Sequence, residues 1–234
     1  MSITPKQVLD LAAKYIGYKE KASNKDLYSF ESNAGSGNYT MFQAELDKAG
    51  FWNNAKQGYE WCTSFVAWCF WKQLGSAEAK EVLCLTGAYG AGCVSWAKYY
   101  AAQGRLFKTP EVGDQYFQRG SDGTPCHTGI VEKVNGNTFV TIEGNAGNAV
   151  KRVTRYVGGA YGFGRPKYSA EIEEDEDMIR WSTINDVPEG FYRDTVKQLM
   201  QDGIIKGKGD GVIDLTEDML RTMIFCQRIM EAKK

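Results

Sequence analysis

Six cysteines and a single histidine are the residues of this 234-residue chain best suited to nucleophilic and base chemistry. A thiol attacks as its thiolate, whose pKa falls at a helix N-terminus beside an imidazolium. Any mechanism that needs an imidazole must use His127. Cys62 opens the run Cys62-Thr-Ser-Phe-Val-Ala-Trp-Cys-Phe-Trp-Lys-Gln-Leu74, where Phe65, Val66, Cys69, Phe70 and Gln73 recur at helical spacing, so it stands at a predicted helix start. Cys69 lies two turns deeper on that helix, Cys226 falls inside the terminal helical stretch, and Cys84 and Cys93 flank a loop without a basic partner nearby. Cys126 adjoins His127, but neighbours on a strand point to opposite faces. Cys62 is therefore the candidate nucleophile; the ordinary alternative for it is a small buried apolar side chain.

The histidine needs a partner that holds its ring. Asn135-Gly136 is a preferred two-residue hairpin turn and sets His127–Val134 antiparallel to Asn137–Glu143. In that register His127 lies opposite about position 144, within reach of Glu143 or Asn145. Either side chain can accept a hydrogen bond from the ring and fix the tautomer that faces the thiol. Taken alone, Glu143 reads as an exposed strand-end carboxylate and Asn145 as a turn residue. At one hairpin end beside His127 they read as a site.

The elements that must position these groups follow from periodicity. Residues from Thr4 to about Tyr18 read as a helix, 19–40 as a polar, glycine-bearing surface loop, and 39–49 as a short helix. The helix from Cys62 and another over 94–102 follow. Strands are expected at 112–117, 127–134, 137–143, 149–157 and 161–163, all rich in Val, Ile, Thr, Phe and Tyr. A helical half followed by a strand half implies an α+β domain, not a Rossmann-like alternation. There is no phosphate-cradling GxxxxGK[ST] loop and no glycine fingerprint. With no CxxC pair and one histidine the ligand spacings of structural zinc are absent, and the irregular cysteine spacing suggests mostly free thiols.

Trp61-Cys-Thr-Ser-Phe-Val-Ala-Trp68, Val112-Gly-Asp-Gln-Tyr-Phe117, His127-Thr-Gly-Ile-Val131, Gly136-Asn-Thr-Phe-Val-Thr-Ile-Glu-Gly-Asn145 and Gly162-Phe-Gly-Arg-Pro-Lys-Tyr168 resemble, in the same order, the motifs of the CHAP family of peptidoglycan amidases and endopeptidases. The resemblance implies a papain-like fold over 1–168, N-terminal helices packed on an antiparallel β-sheet, with Cys62 as nucleophile, His127 as base, Glu143 orienting the imidazole and Asn145 as an additional polar member. Some family members bind calcium through closely spaced aspartates before the cysteine. Only Asp26 and Glu31 stand in that loop here, so no metal or other cofactor is expected.

Composition bounds the rest: 43% hydrophobic, 24% charged and net −1 describe an ordinary globular chain with no apolar run long enough to span a membrane. The charge is divided. Residues 1–168 hold 19 Lys+Arg against 14 Asp+Glu, and 169–234 hold 9 against 15. Ser169-Ala-Glu-Ile-Glu-Glu-Asp-Glu-Asp177 repels itself and reads as a linker, 169–178, before a small all-helical domain, 179–234. That part resembles the helical module behind catalytic domains of phage and prophage endolysins of Gram-positive hosts, which implies wall binding. An EF-hand with Gly211 at position 6 would put Lys206 and Lys208 where carboxylates are required.

The expected function is a cysteine-dependent hydrolase of bacterial peptidoglycan, of endolysin type. Its N-terminus lacks the pattern of a secretory signal, which suits an enzyme made in the host cytoplasm and released to the wall. No nucleic-acid partner is expected. The rivals are an intracellular cysteine amidase with another peptide substrate and a non-catalytic wall-binding protein on a papain-like scaffold.

Overall fold

The computed structural model describes residues 3–86, 90–169, 179–207, 209–217 and 219–224. The chain falls into two compact units, Met1–Ala170 and Glu171–Lys234.

The first unit opens with α1 (Pro5–Ala13), started by a capping box in which Thr4 Oγ1 accepts from the Gln7 N–H and the Gln7 side chain accepts from the Thr4 N–H. It is shorter than the periodicity suggests, because residues 14–17 turn and Gly17 takes a φ of 94°. The loop that follows is more than a surface loop. Glu20 and Lys21 are buried, and the loop crosses itself so closely that a Cβ on Gly37 would sit 2.7 Å from the Ala22 carbonyl oxygen. Helix α2 (Met41–Lys48) is capped by Thr40, and α3 (Cys62–Leu74) is buried along most of its length, as its near-continuous apolar run demands. A helix not anticipated, α4 (Ser76–Val82), precedes α5 (Cys93–Ala102).

The strand half forms one antiparallel sheet, from β1 (Leu106–Phe107) through β2 (Gln115–Arg119), β3 (Pro125–Asn135), β4 (Thr138–Glu143) and β5 (Lys151–Tyr156) to β6 (Ala160–Gly164), in spatial order β1-β6-β2-β3-β4-β5. One face packs Phe117, Ile130 and Ile142 against the helices, and the other gathers Tyr116, Val131, Phe139 and Phe163. The α+β expectation holds, with the Cys62 helix packed on β3 and β4. The Val112–Phe117 motif is structural: Asp114, 1% exposed, accepts two hydrogen bonds from Arg165, and Tyr168 Oη donates to the Gly113 carbonyl, closing the unit on itself.

The β3–β4 turn differs from the sequence expectation. Asn135 pairs with Thr138, so the connecting residues are Gly136 and Asn137, with Gly136 at φ 59° in the first central position, the place glycine takes in a type II′ connection. A bulge between Val131 and Lys133 then shifts the register back by one residue.

The second unit is not all-helical. It holds α6 (Phe191–Gln201) and an antiparallel pair, β7 (Arg180–Thr183) with β8 (Val212–Thr216). In β8 Ile213 and Leu215 are buried while Val212 is exposed, a period of two too short to stand out beside the glycine turn. Trp181, Val187, Val196, Leu199, Ile205, Ile213, Leu215 and Leu220 make its own small core. The acidic run expected as a linker lies, beyond Ser169, outside the described residues, as does Cys226. No helix among the described residues is long and apolar enough to cross a membrane.

Candidate active site

Cys62 is the first residue of α3 and 7% exposed. No side chain caps this helix, so its first N–H groups remain available to an acceptor beside the thiol. The entry to the helix is anchored by Trp61, whose Nε1 donates to the Glu20 carboxylate at 2.7 Å; Glu20 is 1% exposed and also accepts from the Asn38 N–H. The Cys93 thiol stands 3.9 Å from Cys62 Sγ. The hydrogen bond from Cys93, then, against burial, the hydrogen bond and charge of His127 and the Thr63 N–H bring the Cys62 pKa down to about 5. Cys93 is pushed the other way by the same hydrogen bond and by burial, and it stays a thiol donor.

His127, on β3, donates from Nε2 to Glu143 Oε2 at 2.9 Å, which leaves Nδ1 as the ring nitrogen for the thiol. Burial disfavours its charged form, but the hydrogen bonds and charges of Cys62 and Glu143 outweigh this and raise its pKa to about 9. Glu143, at the end of β4, is fully buried. It accepts from Arg155 through both oxygens at 2.8 and 2.6 Å, and from Thr141 Oγ1 at 2.5 Å. Burial raises its pKa, yet the hydrogen bonds from His127, Arg155 and Thr141 win and hold it at about 2. The carboxylate is therefore an anion across the whole working range of the pair in front of it.

The hairpin makes this geometry possible because Gly129 lies under the carboxylate. A Cβ there would meet Glu143 Cγ at 2.5 Å and the Ile142 carbonyl oxygen at 2.9 Å, so His127 and Glu143 approach across a position that only glycine fills. Gly144 similarly lets the hairpin end rest on α3, where a Cβ would sit 2.8 Å from Phe65 Cγ and 2.9 Å from Trp61 Cζ3.

Of the four residues singled out by sequence, the structure brings Cys62, His127 and Glu143 into one contiguous set. Asn145 takes a φ of 58°, and its Nδ2 donates to the Glu60 carboxylate. Four groups escaped the sequence reading. Arg155 and Thr141 clamp Glu143, Glu20 anchors Trp61, and Cys93 contacts Cys62. Arg155 pairs opposite Phe139 on the strand face that Thr141 and Glu143 share, a signal visible only once β5 is paired to β4. Nothing in sequence joins Cys93 to Cys62. Among the described residues no group of three or more His, Cys, Asp or Glu side chains is placed to hold a metal.

A low-pKa thiol at a helix start, facing an imidazole held by a buried carboxylate, is equipped for nucleophilic attack on an acyl group. A CHAP domain is found at residues 52–145. CHAP domains are typically cysteine- and histidine-dependent amidohydrolases. The CHAP match spans Cys62, Cys93, His127, Glu143 and Asn145 and stops before Arg155. Among solved structures, "The crystal structure of Ly7917" is similar to this chain at a TM-score of 0.40 and 14% identity, over 70% of this chain and 62% of that one. No curated protein matches the sequence.

Proposed function

We propose that this protein is a cysteine-dependent peptidoglycan hydrolase, an N-acetylmuramoyl-L-alanine amidase or an endopeptidase, acting as an endolysin on Gram-positive walls. The contiguous set Cys62, His127 and Glu143 at the junction of α3 with the β3–β4 hairpin carries the reading. With pKa values of about 5 and about 9, thiol and imidazole rest at neutral pH as thiolate and imidazolium. The Cys62 thiolate attacks the amide carbonyl, and N–H groups at the uncapped start of α3 receive the oxyanion. His127 gives its proton to the departing amine, then takes one from the water that cleaves the thioester. Glu143 and Arg155 act through His127 by fixing its tautomer and charge.

The positive balance of residues 1–168 suits a wall rich in anionic polymer, with salt screening part of the attraction. The second unit, with its own core and the exposed apolar side chains Phe191, Ile204 and Met219, is assigned to wall binding.

The test is turbidity loss of purified Gram-positive walls with wild type and Cys62→Ala, followed by mass analysis of the released fragments. Clearing by the wild type alone supports the thiol mechanism, and the fragment masses name the bond. Sedimentation with walls from a broad host panel without clearing would replace this reading by a non-catalytic wall-binding protein.

A further inference from the structure

Cys62 and Cys93 each open a helix, α3 and α5, with their sulfurs 3.9 Å apart and 7% and 8% of each residue exposed. Both are free thiols. The approach is supported from the backbone: Thr63 Oγ1 donates to the Ala91 carbonyl at 2.5 Å, which ties the segment before Cys93 to the start of α3, and Trp96 Nε1 donates to the Gly90 carbonyl at 2.8 Å, which holds that segment to α5. Amide hydrolysis forms and breaks bonds at one sulfur only, so the second thiol has no covalent part in the proposed reaction.

We propose that Cys62 and Cys93 form a redox pair, in which a hydroperoxide oxidises Cys62 and Cys93 closes it into a reversible disulfide that masks the nucleophile. In the first step the Cys62 thiolate attacks a peroxide oxygen. An S–O bond forms, the O–O bond breaks, and the departing alkoxide or hydroxide leaves as alcohol or water with the proton of His127. In the second, Cys93 sulfur attacks the Cys62 sulfenic acid. The S–S bond forms, the S–O bond breaks, and the hydroxyl leaves as water with the Cys93 proton. Two electrons pass from the thiols to the peroxide, and a dithiol reductant returns them.

A disulfide needs its sulfurs at about 2 Å, so the pair must close by roughly another 2 Å. Gly92, directly before Cys93, has no Cβ to restrict its backbone, and no atom lies within 4 Å of where one would stand. The competing fate is irreversible oxidation of Cys62 to sulfinic acid, and the competing partner is the exposed Cys126.

The experiment treats the reduced full chain with hydrogen peroxide, blocks remaining thiols with iodoacetamide and maps peptides without reduction. A cross-linked peptide pair holding Cys62 and Cys93, about 2 Da lighter than the two thiol peptides, and return of both thiols with dithiothreitol are expected. In Cys93→Ser the same treatment adds about 32 Da to Cys62, and dithiothreitol does not remove it. The proposal is overturned if wild-type Cys62 reaches sulfinic acid as fast as in Cys93→Ser, if Cys62 links to Cys126, or if Cys62 stays unoxidised while still open to iodoacetamide. Should Cys93→Ser fold poorly, the wild-type map and Cys126→Ser decide by themselves. The readout is mass, so it is independent of whether the protein clears walls.

Discussion

At the scale of single residues, protonation decides how the site behaves. Thiolate forms as pH rises through about 5 and imidazolium is lost as pH rises through about 9, so kcat/KM on peptidoglycan fragments should follow a bell with limbs near those values. A profile that keeps rising past pH 10 would contradict the ion pair. Replacing Glu143 by Gln removes the anion behind the ring and leaves the Arg155 guanidinium without its carboxylate. We expect kcat/KM to fall on the order of 10³-fold, with the alkaline limb moved to lower pH. The same carboxylate links stability to pH. Its folded pKa of about 2 lies below the usual 4.5, so its contribution is complete above about pH 4.5 and is lost as pH falls towards 2. Thermal unfolding between pH 5 and 2.5 should therefore be less pH-dependent for Glu143→Gln than for the wild type.

Between elements, the critical contact is the hairpin end resting on the cysteine helix. Gly144→Ala drives a methyl group into Phe65 and Trp61, and relief requires β4 to move away from α3, taking Glu143 and His127 from Cys62. The overpacking should cost about 1–3 kcal/mol of stability, and activity should fall at least tenfold at temperatures where the variant is folded. Gly164→Ala is the control. It forces a comparable clash, Cβ to Tyr100 Cε2 at 2.6 Å, but between β6 and α5. Chemical denaturation should show similar losses for the two variants, with kcat/KM reduced only for Gly144→Ala.

For the molecule as a whole, each unit buries its own apolar set: Trp61, Phe65, Trp68 and Ile142 belong to the first, Trp181, Leu199 and Leu215 to the second. A chain ending at Ser169 keeps every residue of the candidate site. It should cleave soluble muropeptides at close to the full-length rate, yet need at least tenfold more protein to clear intact walls. Cosedimentation with walls checks this, and equal wall affinity of the two chains would remove wall binding from the second unit.

Local sequence determined the elements whose signals are short-ranged. An apolar run at helical spacing places Cys62 at the start of α3, and β-branched runs around a glycine turn bring His127 near Glu143. Both depend on signals within one helix or one hairpin, where backbone preference, turn chemistry and side-chain period act directly. The turn itself moved by one residue and a bulge shifted the register part of the way back, because strand pairing is settled by packing as well as by turn chemistry. Only the tertiary structure decided that Asn145 binds Glu60, that Arg155 holds Glu143, and that Cys93 reaches Cys62. Those contacts join segments whose approach is set by the burial of the aromatic core and the pairing of β4 with β5, and no local pattern of residues encodes such a distance.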